Sequence, residues 1–199
     1  HLYVSPGGDN ASNGLSWAAA KRSVSAAAAL ARNGSHIHIA AGVYSNDVET
    51  FPLLFSDLNQ ITLSGDGAET TLLNANRSHR VLQFVATPDF RVEQLTLLNG
   101  YVAGSGAGLS VTAVWASNQM HHCRILTNET TGSGRMGGGV YVGRDSALVI
   151  SNTLLQRNYA GSDYGSGGGG LAVDRSGRLA AFSLLILTNR GYSSHSGVY

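Results

Sequence analysis

Asp145 and Asp174, 29 residues apart, come nearest in this sequence to a paired-carboxylate site. Glycoside hydrolysis needs two carboxyl groups about 5–9.5 Å apart. A backbone stacked on itself at about 4.8 Å would bring acids one repeat apart into that range. Each lies beside an arginine, Arg144 or Arg175, with a serine close behind, as in a polar turn just past a strand. Catalysis by Asp145 and Asp174 is therefore the alternative reading, and the main reading assigns no catalytic residue. His36 and His38, two apart on a strand-like run, point the same way and could offer two imidazoles to a metal. Two ligands fall short of a site, so the pair reads first as surface decoration. His121 and His122 are adjacent and should face opposite sides of a strand, and Cys123 beside them reads as a small packed residue. Gly65-Asp66-Gly67 lacks the helix that a phosphate-binding loop requires, and the glycines at 165–170 lack spaced aspartates for calcium. The twelve acids are scattered and Lys21 is the single lysine, so no calcium-dependent lyase cluster is visible and no cofactor is implied.

These residues need a scaffold, and internal repetition supplies it. Asn99, Asn128, Asn158 and Asn189 each end a short apolar run, at spacings of 29, 30 and 31. A Gly followed by an aliphatic residue recurs at Gly108, Gly139 and Gly170, 31 apart each time. Short β-type runs at a period near 30, separated by Gly, Asn and Ser, predict an all-β parallel β-helix with about 30 residues per coil. The four asparagines are expected to stack as a structural ladder. Within coils, Ile37 and Ile39 should face in, as should Val140 and Val142 on either side of Tyr141. Residues 23–33 predict a short helix with Ser23 as N-cap, capping the first coil with Trp17 as a packing anchor. The chain thus divides into an N-terminal strand and capping helix, 1–35, and one continuous run of coils, 36–199.

Composition limits the partners. The chain has 199 residues, 13% of them charged, and a net charge of +1. No basic excess invites nucleic acid, and no apolar run is long enough to span a membrane. One Cys excludes an internal disulfide framework.

The opening Leu2-Tyr-Val-Ser-Pro-Gly-Gly-Asp9, then Asn13-Gly-Leu-Ser-Trp17 and Ile37-His-Ile-Ala-Ala-Gly-Val-Tyr44, resembles secreted bacterial right-handed β-helix proteins. Ile125-Leu-Thr-Asn128 and Gly138-Gly-Val-Tyr141 are similar to the repeats of polymorphic outer-membrane proteins, with Ile in place of Phe. The resemblance implies a right-handed coil and a secreted or cell-surface location. With no catalytic constellation evident, the expectation is a non-enzymatic structural or adhesive protein. By the repeat register the C-terminus starts another coil, so it either continues in a longer solenoid or is covered by another chain. In the second case Val198 and Tyr199 would pair with Leu2, Tyr3 and Val4 of the next copy, producing a filament by self-association. The alternative is a carbohydrate-active enzyme or binding module using the lateral groove, with polysaccharide as partner and Tyr101, Tyr141, Tyr159, Tyr164 or Tyr192 stacking on sugar. Asn10, Asn33, Asn76 and Asn128 satisfy the N-glycosylation pattern.

Overall fold

Short β-branched and leucine-rich runs cannot bury themselves alone, so each lies on its equivalent from the lap before. The computed structural model describes residues 1–161 and 167–191. It is an all-β, right-handed parallel β-solenoid of five turns with a short N-terminal helix. Every strand pairing among the described residues is parallel and in register. A first face carries Leu2–Val4, His36–Ile39, Thr62–Gly65, Arg91–Glu93 and Gln119–His121, then the first halves of Ala147–Gln156 and Arg178–Leu187. A second face carries Gly42–Ser45, Thr71–Asn74, Thr96–Leu98, Arg124–Leu126 and the second halves of those two long strands. The third carries Leu53–Ser56, Leu82–Val85, Leu109–Thr112, Val140–Val142 and Leu171–Val173.

Period-two alternation sends one file of side chains inward from each face. Ile37, Leu63, Val92, Met120 and Ile150 align on the first, and Leu73, Leu97, Ile125 and Leu155 on the second, all fully buried. Phe55 and Phe84 stack within the core at 5.3 Å, and Phe84 lies parallel to Phe90 at 3.8 Å. Each buried aliphatic or aromatic residue contributes about 1.5–3 kcal/mol. An exposed ion pair such as Arg77–Glu129 contributes at most about 1. The inward files therefore hold the coil together, and the outer surface is free to vary.

Corners between faces repeat residues with left-handed backbone. Gln94, His122, Asn152 and Ser183 occupy one such row, and Asn99, Thr127, Arg157 and Thr188 another, with φ between 48° and 57°. Asn128, Asn158 and Asn189 each sit one residue past this second row and point inward. Asn128 Nδ2 donates to Asn158 Oδ1 at 3.0 Å, and Asn158 Nδ2 donates to Asn189 Oδ1 at 2.9 Å. Their amides also bond backbone: Gly100 N to Asn128 Oδ1 at 2.7 Å, and Asn128 Nδ2 to Leu97 O at 3.1 Å. Asn99 stands outside this file. It is itself the left-handed residue, bonded to Asn74 and Thr127, and Gly100 takes the ladder position in its lap. A Cβ at Gly100 would lie 2.8 Å from Asn128 Oδ1 and 2.1 Å from Ala107 O, so no side chain fits there.

At the N-terminal end the helix is shorter than the sequence suggests, spanning Val24–Ala28 with Ser23 as N-cap. Leu30 N and Ala31 N bond three residues back, to Ala27 O and Ala28 O at 3.0 Å, so the chain tightens out of the α-helix after one turn. The buried Glu49 carboxylate accepts Val24 N at 2.5 Å and Ser25 N at 2.8 Å and anchors the helix to the coil. Trp17 is not a core anchor; it is half exposed and packs edge-on against Tyr3.

The strand Leu2–Val4 does not offer a free edge. Tyr3 N donates to Gly14 O at 2.8 Å, Lys21 N to Tyr3 O at 2.8 Å and Ser5 N to Lys21 O at 2.9 Å, with a parallel bridge from Val4 to Lys21. The expected pairing of Leu2, Tyr3 and Val4 with another copy is corrected by this closure: the chain's own residues 14–21 already use those groups. Val198 and Tyr199 lie outside the described residues. No helix among the described residues is long and apolar enough to cross a membrane.

Two outcomes test this packing. Asn128→Ala strands the Gly100 N–H, the Leu97 carbonyl and its Asn158 contact, and should cost roughly 2–4 kcal/mol in urea denaturation; Asn99→Ala should cost only about 1. Cys123 is buried in the core, and desolvation raises its thiol pKa to about 12. Its thiol should stay inert to an aromatic disulfide reagent in the native protein and react stoichiometrically once the chain is unfolded in denaturant.

Candidate functional site on the first face

Outward positions of the first face carry chemistry that the core does not require. In rung order one file reads Tyr3, His38, Ser64, Glu93, His121, Ser151 and Phe182. The neighbouring file reads His36, Thr62, Arg91, Gln119 and Val149. From Tyr3 to Ser151 the polar row covers five steps of about 4.8 Å, or roughly 24 Å.

Hydrogen bonds knit the row together. Arg91 Nη2 donates to Gln119 Oε1 at 2.8 Å, which identifies that amide atom as the oxygen. His121 Nε2 lies 2.8 Å from the same oxygen and must donate to it. The neutral ring then has its lone pair at Nδ1, 2.5 Å from Ser151 Oγ, so the hydroxyl donates to the imidazole. Hydroxyl, imidazole and a third group fixing the tautomer form the arrangement by which a serine is activated as a nucleophile. Partial burial, then the nearby Arg91 charge, holds His121 below the usual histidine pKa, so the ring is a neutral base at pH 7. Ser151, His121, Gln119, Arg91 and Glu93 line an open depression of about 480 Å³ together with His122 and Asn152.

Toward the N-terminal end of the row, Ser64 Oγ donates to Glu93 Oε1 at 2.6 Å and lies 2.8 Å from His36 Nε2. His36 and His38 face outward side by side, with ring centroids 3.8 Å apart. His1 joins them, its Nδ1 2.8 Å from His38 Nε2. One ring nitrogen from each of the three lies within 4.8 Å of the others. Tyr3 stacks on His38 at 5.0 Å, and Trp17 closes the edge of Tyr3 at 4.9 Å. Burial, followed by the mutual repulsion of the two rings, lowers the His36 pKa; burial and the nearby N-terminal amine lower that of His38.

Asp145 and Asp174 are not equivalent rung positions. Val142 pairs with Val173, which sets Asp174 beside Gly143, whereas Asp145 faces Ser176. Asp174 accepts Tyr141 Oη at 2.7 Å and its neighbour Arg175 N at 2.7 Å, with Arg144 Nε at 3.7 Å. The Tyr141 hydrogen bond, chiefly, pulls the Asp174 pKa down and suits it to remain a carboxylate rather than to deliver a proton. His122 occupies the left-handed corner and is solvent-facing like His121, not on the opposite side. Among the sequons, Asn10, Asn33 and Asn76 are exposed, but Asn128 is fully buried with its amide engaged, which removes it as a glycan acceptor. Tyr101 lies under Arg77 at 4.8 Å, and Tyr141 is tied to Asp174. Tyr164 and Tyr192 lie outside the described residues. Ser64, Glu93, Arg91, Gln119 and Ser151 carry no local motif. Their spacings along the outward file, 26, 29, 28 and 30 from His38 to Ser151, are the one signal that could have found them.

Asp174 gives a signed pH dependence. Its pKa is depressed below the ordinary 3.8, so its stabilisation is present above that value and is lost as pH falls through the lower folded value. Asp174→Asn should therefore lower the urea midpoint at pH 7, and the gap to the parent protein should close below pH 3.8. Tyr141, raised to about 12 by burial and then by Asp174, should ionise earlier in that variant in an ultraviolet titration.

No protein-family model matches the chain, and no curated protein does. Among solved structures, it is similar to pectin methylesterase from carrot at 15% identity and a TM-score of 0.41, over 91% of this chain. The chain spans 63% of that enzyme's length. The expectation of a non-enzymatic structural or adhesive protein is corrected by this chain's own geometry: the strand edge required for a filament is closed, and the first face holds a hydroxyl–imidazole pair where no catalytic constellation was expected.

Proposed function

We propose that the protein is a carbohydrate-active hydrolase that lays an extended polysaccharide along the first face and cleaves an acyl ester on it at Ser151. The supporting observation is the Ser151–His121 hydrogen bond, with the imidazole tautomer fixed by Gln119 and Arg91. Rungs at about 4.8 Å are comparable with the length of one sugar unit, so successive polar side chains meet successive units. Tyr3 and Trp17 supply an aromatic wall at one end for a sugar face. Glycosidic cleavage fits this face less well, because it calls for two carboxyl groups and Glu93 is the one carboxylate in the two outward files. Such a substrate belongs outside the cell, which agrees with a secreted or cell-surface location.

In the proposed reaction Ser151 Oγ attacks the ester carbonyl carbon while its proton passes to His121 Nδ1. Arg91, two rungs away and lining the same depression, gives the site its positive charge. Collapse breaks the ester C–O bond, and the departing alkoxide takes the proton from His121. A water molecule, deprotonated by the same nitrogen, then releases the acid and restores Ser151. Gln119 keeps Nε2 protonated throughout, so Nδ1 alone carries the traffic.

Assays with a nitrophenyl acetate and with acetylated and methyl-esterified polysaccharides test this reading. Hydrolysis should fall by about 10²–10⁴-fold in Ser151→Ala and His121→Ala, with far-UV circular dichroism unchanged. The rate should hold between pH 8 and 7 and decline only below 6.5, because His121 sits below that value among Arg91, Glu93 and His122. Turnover that survives Ser151→Ala, or its absence on every ester, would overturn the proposal.

A further inference from the structure

We infer that His1, His36 and His38 form a three-imidazole site for a late transition-metal dication of the zinc or copper(II) class, at the N-terminal end of the same face. Its three ligands are other residues than Ser151 and His121, and it stands independently of the ester-cleaving reading although Glu93 lies between the two groups.

Strand geometry brings the ligands together. His36 and His38 are two apart on one strand and project to one side. Tyr3 pairs with His38, so His1 falls beside His36 on the adjoining rung. The resulting triangle has its donor atoms within 4.8 Å of one another, and one pair is already at 2.8 Å. Tetrahedral coordination at about 2.0–2.1 Å places nitrogens roughly 3.4 Å apart, so closing the triangle needs side-chain shifts of about an ångström. Three neutral nitrogens suit zinc, copper or nickel and do not suit calcium or magnesium, which take oxygen.

A second feature points to a ligand: a supported tautomer. Ser64 has one proton, and it goes to Glu93 Oε1. In its contact with His36 Nε2 the hydroxyl must therefore accept, which leaves Nε2 protonated and the lone pair on Nδ1. A carboxylate acting through a hydroxyl on the far nitrogen of a histidine is the outer support that orients metal-bound imidazoles. Tyr3 stacks on His38 and braces that ring from the other side. His1 is exposed and the other two are half-buried, so a fourth coordination position would open to solvent above the polar row.

The test is titration of chelator-treated protein with zinc chloride by calorimetry, and with copper(II) by electron paramagnetic resonance. One ion per chain should bind, with hyperfine splitting from nitrogen ligands. His36→Ala and His38→Ala should abolish the site, and Ser64→Ala should weaken it by about 10–100-fold although it removes no ligand. His79→Ala, on another part of the surface, should leave it unchanged. Circular dichroism of each variant confirms that the fold persists. No saturable binding of either ion, or binding that His36→Ala and His38→Ala leave intact, overturns the inference. Unchanged affinity in Ser64→Ala overturns the role of the Glu93–Ser64 support.

Discussion

Parallel stacking of each lap on the last is the constraint on which this molecule depends. Every strand must satisfy its backbone groups with the lap before and the lap after, so a residue's neighbours across the strands are its equivalents about 29 positions away. A shift of one residue would turn every inward leucine out to water. The buried files of Ile37 to Ile150 and Leu73 to Leu155 make that shift prohibitive. Register is therefore rigid, and the outer surface inherits the same rigidity at no further cost.

This inheritance explains how residues with no sequence motif come to act together. Ser64 and Glu93, or His121 and Ser151, are remote in sequence yet adjacent on one face. Hydrogen bonds then assign them protons: Gln119 orients His121 toward Ser151, and Glu93 orients Ser64 toward His36. The two groups share Glu93 and Arg91 as the ionised centre of the row, where the pair lies 3.6 Å apart.

The fold was legible because its markers are periodic and local. Asn128, Asn158 and Asn189 recur beside aliphatic runs, and the alternation at Ile37–Ile39 and Val140–Val142 shows in the burial of those residues. Asn99 looked like a fourth member and is not one, because the marker drifts by one residue and Gly100 fills the place. The site was much harder to read. Its members are single polar residues on strands, and the only signal they leave in the sequence is an irregular spacing of 26 to 30 that shows once the rungs are aligned. His36 and His38 were visible as a pair, but their third partner, His1, sits just ahead of the strand Leu2–Val4 that pairs with theirs, a neighbourhood that composition does not announce. Asp145 and Asp174 attracted attention by spacing alone, and a two-position offset between the strands' ends separates them.

The ten-residue strands Ala147–Gln156 and Arg178–Leu187 pass through the left-handed corner at Asn152 and Ser183, where that one pair is skipped, and resume the same register on the far side. That corner works as a welded joint rather than a hinge. Ser151 sits just before it, gripped by Gln119–His121 on one flank and Arg178–Leu187 on the other. Among the described residues, the strands flanking Ser151 are fixed by pairing on both sides and do not close over a guest. On the proposed reading, a polymer settling here would have to match the straight file of rungs, so selectivity would favour chains already stiff and straight in water.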